Sequence, residues 1–281
     1  VGSSRAVLVT GCSSGIGAAA ARRLHRAGHA VYASARRIDD LADLAAAGIC
    51  TLHLDVTDEA SMQAAVKRIT DERGGVEVLV NNAGYGVMGA LEEIPLAAVR
   101  EQYETNLFGA VRLTQLAIPG MRARRWGRII NISSVLGRAA VPGGAIYNSS
   151  KYALEGVSDA LRLELARFGI GVALIEPGPV RTEFGATATA GMIGDSATYQ
   201  HFREHLASWS AAVFGPDRPN LLGRLALDAD AVAVVVDRAV RVRRPRARYP
   251  VGLPARGMLS LRRMLPDRLF DAFVRRQFPV P

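Results

Sequence analysis

AVLVTGCSSGIGAAAARRLHRAG, Ala6 to Gly28, reads as strand, glycine turn and helix. Ala6–Thr10 is an unbroken apolar run of the kind buried on both faces of a parallel sheet, and the alanine-rich stretch after it has helical spacing. Between them, Gly11, Gly15 and Gly17 fit a turn in which the backbone approaches a pyrophosphate. Amide N–H groups are then presented at a helix N-terminus, where the dipole favours negative charge. Glycine also serves the conformation of any tight strand-to-helix turn, so the reading gains its weight from the rest of the chain.

Working outward, Ala30–Ser34 predicts a second strand. It ends at Ala35, Arg36 and Arg37, where dinucleotide folds place the group that reads the adenosine ribose. An acidic residue there would accept from a free 2′-hydroxyl; a guanidinium instead matches a 2′-phosphate in charge and bidentate geometry, so NADP(H) is expected over NAD(H). Two solvated arginines after a strand are the plainer alternative. Cys50–Leu54 is a third strand, with Asp55 at its end beside the expected adenine. Asp58 caps a predicted helix to about Arg73, whose buried stripe is Met62, Ala65, Val66 and Ile69. Val76–Val80 is a fourth strand leading into NNAG, Asn81–Gly84, which suits a close turn beside a cofactor.

Leu96–Arg124 has the pattern of one long helix, with Asn106 inside it. Asparagine is a poor helix-interior residue unless its side chain has a structural bond or a task. Arg128–Ile132 is a fifth strand delivering Ser133 and Ser134 at its C-terminal end, and a helix carrying Tyr147 runs to about Phe168. Gly171–Ile175 is a sixth strand ending in EPGPVRT. Residues 183–225 break the rhythm and are expected to be an irregular insertion that closes over a site as a lid, or else a peripheral helical pair. Asp228–Arg243 reads as a helix, Arg248–Val251 as a last strand, and Leu259–Phe278 as one or two amphipathic helices broken at Pro266. The alternation predicts a single doubly wound α/β domain over residues 1–281, with about seven parallel strands, helices on both faces and a C-terminal extension at 252–281.

The chemistry concentrates in SVLGRAAVPGGAIYNSSK, Ser134–Lys151, where a hydroxyl stands thirteen residues ahead of a phenol and the phenol four ahead of an amine. One helical turn places Tyr147 and Lys151 on the same face, and a cation beside a phenol favours its ionised form. That suits proton exchange in alcohol and carbonyl chemistry. An exposed helical pair would look the same in isolation, but Lys67 and Lys151 are the only lysines in an arginine-rich chain.

Composition narrows the rest. No apolar run is long enough to span a bilayer and Val1–Thr10 already leads into a strand, so a soluble, cytoplasmic protein without a signal peptide is expected. Cys12 and Cys50 suit reduced structural thiols rather than a disulfide framework, and no metal-ligand spacing occurs. The net charge of +9 comes from the C-terminal part, where Arg238–Arg276 holds twelve arginines against Asp267 and Asp271. Nucleic acid is therefore not an expected partner of the body. Peripheral membrane contact by the tail is ranked below packing of its Leu265, Leu269, Phe270 and Phe273 on the domain or on a partner subunit.

Taken together, TGCSSGIG at Thr10–Gly17, NNAG at Asn81–Gly84, Asn106, Ser134, Tyr147 and Lys151 in this order resemble the short-chain dehydrogenase/reductase family over roughly Arg5–Val251. GCSSGIG, VYASARR, YALEG and IEPGPVRT look most like its hydroxysteroid and retinol dehydrogenase branch. The resemblance implies a Rossmann-type fold and a catalytic set of Asn106, Ser134, Tyr147 and Lys151. Ser134 would hold the substrate oxygen and Tyr147 would transfer its proton. Lys151 would lower the Tyr147 pKa and bind the nicotinamide ribose, and Asn106 would support a water leading to Lys151. It implies cofactor contacts from Gly11, Ser13, Ser14, Gly15, Ile16 and Gly17, from Arg36, Arg37, Asp55 and Val56, and from Asn82, Ala83 and Gly84. Tyr147, Lys151, Pro177, Gly178, Val180 and Thr182 complete them, with Thr182 bonding the nicotinamide carboxamide. It further implies a homodimer or homotetramer built on the two long central helices. An apolar alcohol or carbonyl substrate is expected from Met192, Ile193, Trp209 and Leu221 in the insertion. A non-catalytic NADP-binding sensor or scaffold is the alternative function.

Overall fold

The computed structural model describes residues 4–277 other than 216, 218 and 219, and for residue 186 the backbone only. Val1–Ser3 and Phe278–Pro281, included in the expectations above, lie outside the described residues. Seven parallel strands form the sheet: β1 (Ala6–Val9), β2 (Ala30–Ala35), β3 (Cys50–His53), β4 (Val78–Asn81), β5 (Gly127–Ile132), β6 (Ile170–Pro177) and β9 (Arg248–Val251). Their order, β3-β2-β1-β4-β5-β6-β9, reverses direction between β1 and β4. That reversal opens a crevice at the C-terminal strand ends, the place where ligands bind open α/β sheets.

The strands are apolar throughout because both faces are covered. Val7 and Val9 point to the face held by α1 (Gly15–Arg26) and α10 (Ala229–Arg241), where Ala18–Ala21 pack with Val232, Ala233 and Val236. Ala6 and Leu8 point to the other face. They meet Met62, Ala65 and Ile69 of α3 (Glu59–Arg73), Leu113, Ala117 and Met121 of α5 (Gly109–Ala123), and Leu165 of α6 (Ala145–Leu165). Asp58 caps α3 by accepting from Ala60 N at 2.9 Å, as its spacing predicts. A short α2 (Ala42–Ala46) precedes β3.

The single helix expected over Leu96–Arg124 is interrupted. α4 (Leu96–Tyr103) gives way to a π-helical turn, Glu104–Phe108, before α5 continues. The wider turn lets Asn106 project inward, a type of distortion often found at functional sites.

The insertion is more regular than the sequence predicts: α7 (Glu183–Ala190), α8 (Gln200–Phe214) and α9 (Leu221–Arg224). Its base is closed by a two-residue parallel ladder between β7 (Val180–Arg181) and β8 (Leu227–Asp228), together with Arg181–Asp228. The tail starts earlier than the Leu259 boundary, as α11 (Leu253–Met264) and α12 (Asp267–Gln277). Gly252, at φ +91°, turns the chain out of β9, and Pro254 in the first turn favours immediate helix entry. Pro266 separates the two helices as expected. Phe270 and Val274 of α12 are buried in a cluster with Phe202 and Leu206 of α8 and with Ala139 and Val141 of the Ser134–Tyr147 loop.

Candidate active site

The glycine turn leaves β1 with Gly11 at φ +68° and enters α1 with Gly15 at φ +56°. Gly17 is required for space: a Cβ there would collide with the Gly11 carbonyl oxygen, and Asn82 Nδ2 would stand 2.5 Å away. The turn is stitched to the end of β4. Thr10 Oγ1 accepts from Asn82 N and Ala83 N, each at 3.0 Å, and Asn82 Nδ2 donates to Thr10 O and Gly11 O, each at 2.9 Å. Asp58 caps α3 and Thr182 caps α7, but Ser14 makes no side-chain cap on α1. That leaves the first-turn N–H groups, beside exposed Ser13 and part-exposed Ile16, available to an anionic group.

Thr182 lies over this turn; a Cβ on Gly15 would meet its Cγ2 at 3.1 Å. It is carried there by Pro177 at the end of β6, by Gly178, whose N–H donates to Val251 O at 3.1 Å, and by buried Val180. At the other end of the crevice, Arg37 is tied to Asp40 at 3.0 Å. Exposed Arg36 forms no ion pair among the described residues. Asp55 Oδ1 accepts from Thr57 N and Oγ1 at 2.9 and 2.8 Å, giving it a local task at the turn into α3. Buried Val56 packs its backbone against Gly109.

Ser134, Tyr147 and Lys151 come together where β5 ends and α6 begins. Ser134 is almost buried, and its Oγ accepts from Leu136 N at 3.1 Å. Tyr147 sits beside Gly86 and Phe184, its ring centroid 5.3 Å from that of Phe184. Lys151 Nζ donates to Ile132 O at 2.9 Å and lies 5.7 Å from the Tyr147 ring centroid. Asn106 clamps the chain after NNAG: its Oδ1 accepts from Tyr85 N at 3.0 Å and its Nδ2 donates to Tyr85 O at 2.9 Å and to Ser150 Oγ at 3.1 Å. Gly84 provides the gap between the two polar groups, since a Cβ there would stand 3.0 Å from Asn106 Oδ1 and 3.7 Å from Lys151 Nζ.

The electrostatics differ from the expectation that Lys151 lowers the phenol. Burial pushes Tyr147 up to about 12, opposed by hydrogen bonding with Ser134, while burial pushes Lys151 down to about 8, opposed by the charge of Glu155. Burial is the larger influence on both groups.

Several supporting residues escape a motif reading. Gln102, one turn before Asn106, accepts from Val87 N at 2.9 Å and donates to Tyr85 O at 3.2 Å. The i,i+4 polar pair inside an otherwise apolar stripe was its signal. Thr10 opens the TGCSSGIG motif, but Phe184 has no comparable signal, because its role depends on which loops meet across the crevice.

Residues 5–192 match the family described as short chain dehydrogenase, and the chain belongs to that family. The uncharacterized oxidoreductase YbbO of Escherichia coli (strain K12) is 36% identical over 95% of this chain and 93% of its own length. Retinol dehydrogenase 8 of Bos taurus is 35% identical over 94% of this chain and 86% of its own, in agreement with the branch resemblance. An NADPH-dependent 3-dehydrocapnine reductase of Ornithobacterium rhinotracheale is 34% identical over 95% of each. A solved short-chain dehydrogenase from Streptomyces avermitilis superposes with a TM-score of 0.78 at 34% identity, covering 92% of each chain.

Proposed function

We propose that this member of the family is an NADP(H)-dependent oxidoreductase that moves a hydride between the nicotinamide and an apolar secondary alcohol or ketone. The observation that carries this reading is the meeting of Ser134, Tyr147, Lys151 and Asn106 across a crevice whose other wall is the Gly11–Gly17 turn. An uncapped helix start, glycines with no room for a Cβ and an unpaired Arg36 suit a dinucleotide bearing a 2′-phosphate. The NADPH dependence named for one relative supports the same choice.

When bound, the nicotinamide supplies or accepts the hydride. Tyr147, protonated at neutral pH, donates its proton to the substrate oxygen in reduction and recovers it in oxidation. Ser134 Oγ donates a hydrogen bond to that oxygen, orienting it and stabilising developing charge. Lys151 uses one N–H on Ile132 O, leaving two for the ribose hydroxyls and the phenol oxygen. Asn106 holds the Tyr85 backbone and so fixes the approach of the loop after β4.

Residues 183–225 act as a substrate-loop insertion on a single domain, and the described part of the extension, residues 252–277, packs against it. The burial of Phe270 and Val274 supports packing ahead of membrane contact for the tail. Among the described residues no helix is long and apolar enough to cross a membrane. Exposed Phe108, Tyr152 and Leu163 on the central helices support a homodimer or homotetramer formed there.

Tyr147→Phe is the decisive test. Turnover of a ketone panel with NADPH should fall by on the order of 1,000-fold while NADPH binding, followed by its fluorescence, stays within about twofold. Unchanged turnover would remove Tyr147 from the mechanism, while a wild type that binds NADPH but turns over no member of the panel would favour a sensor or scaffold.

A further inference from the structure

One turn beyond Lys151, two buried carboxylates approach the same guanidinium. Glu155 lies one turn beyond Lys151 on α6, and Glu176 is the penultimate residue of β6; neither is accessible beyond a few per cent. Arg248 of β9 bridges them, with Nε 2.8 Å from Glu155 Oε2 and 3.4 Å from Glu176 Oε1. Arg138, from the loop after Ser134, approaches Glu176 Oε1 at 3.4 Å. Most of the Arg248 fork is committed elsewhere: its two terminal nitrogens bind Asp159 at 3.1 and 2.6 Å, and Asp159 also pairs with Arg162. Glu176 Oε2 is buried without a hydrogen-bond partner among the described residues, and burial raises the Glu155 carboxyl too, opposed by Ser133 and Arg248.

We propose that Glu155 and Glu176 form a carboxylate pair that shares one proton between Arg138 and Arg248, and that the charge remaining on Glu155 keeps the Lys151 ammonium protonated. Glu155 is thus a positioning residue acting through Lys151, and Glu176 is the site where the shared proton rests. Three observations support the division. Glu155 has the shorter contact with Arg248. Burial and the like charge of Glu155 hold Glu176 up to about 7. The charge of Glu155 is also the influence that opposes the effect of burial on Lys151.

The groups facing the pair are Lys151 and Asp159 on α6, Arg138 on the loop after β5 and Arg248 on β9. Arg162 acts at one remove through Asp159. Proton exchange by the pair therefore changes the charge behind Lys151 close to neutral pH. The inference rests on the proposed role of Lys151, but it can be tested without turnover.

Because the chain contains only Lys67 and Lys151, protein labelled at the lysine ε-carbon gives two NMR titration curves. Exposed Lys67, paired with Asp71, is the internal control. Glu155→Gln should lower the Lys151 midpoint by about one pH unit and leave Lys67 unmoved, and Glu155→Asp should restore part of the shift. A Lys151 midpoint unchanged in Glu155→Gln overturns the proposal. Should that variant not fold, glutamate carboxyl labelling provides the second reading. Wild type should show one carboxyl titrating near neutrality, and Glu176→Gln should remove that step. No such step in wild type, or one that survives Glu176→Gln, overturns the shared proton. Failure here with Tyr147→Phe still inactive would leave the reaction intact and remove only the role of the pair.

Discussion

The glycine turn and the outer helices are built from different materials. Around the Gly11–Gly17 turn the contacts are backbone groups and short polar side chains, Thr10 and Asn82 above all, with no volume to spare. Around α8, α11 and α12 they are interlocking side chains: Phe202, Leu206, Phe270 and Val274 over Ala139 and Val141. A region made of backbone fixes one ligand geometry and tolerates little change. A region made of side chains can be reshaped residue by residue, which is how one fold serves many substrates.

Substitutions in the two regions should separate cleanly. Phe270→Ala should cost about 3 kcal/mol of stability, read as a lower midpoint in thermal or urea unfolding, and raise substrate KM while NADPH affinity holds. A parallel loss of NADPH affinity would mean that the two regions are one cooperative unit. Gly17→Ala should weaken NADPH on the order of 100-fold, because the turn must open to admit the methyl group; near-normal binding would mean that the turn is softer than its contacts imply.

Glu176 is the penultimate residue of β6. Its carboxyl is held up to about 7 in the folded protein against an ordinary value near 4.5. The folded state therefore binds the extra proton between those values. The stability it provides is complete at lower pH and is lost as pH rises to about 7. Relative to Glu176→Gln, wild-type Tm should fall by roughly 3 °C from pH 4.5 to 7.5, after allowing for screening by nearby solvent and arginines. Parallel Tm profiles would show that the carboxyl is ionised throughout. The smallest effect is expected at the rim. Arg36→Ala should weaken NADPH about tenfold and leave NADH unchanged, while Arg37→Ala, already paired to Asp40, should do less. Equal losses would show that both arginines share the phosphate.

Much of the nucleotide wall was legible because its requirements are local. A glycine turn, a strand before it and a helix after it occupy consecutive residues, and Tyr147 and Lys151 are one helical turn apart. The π-turn at Glu104–Phe108 was less so. Asn106 announced that something unusual happens inside the helix, but its bonds to Tyr85 belong to a loop about twenty residues earlier. The insertion looked irregular in sequence because α7 and α8 bury apolar residues against distant partners and so show weak periodicity of their own.

By itself, the sequence carried the parallel αβ alternation, the motifs of the family and the candidate site residues, since each lies in residue type and spacing along one segment. Tertiary structure decided their electrical state and their surroundings. Phe184 packs on the Tyr147 ring, and burial pushes the phenol up. α12, from the far end of the chain, packs on α8 and the Ser134–Tyr147 loop. Glu176 arrives from β6 to sit beside Glu155, giving Lys151 a charged background that no local pattern could reveal. Burial, and the charges gathered by it, are properties of the packed whole.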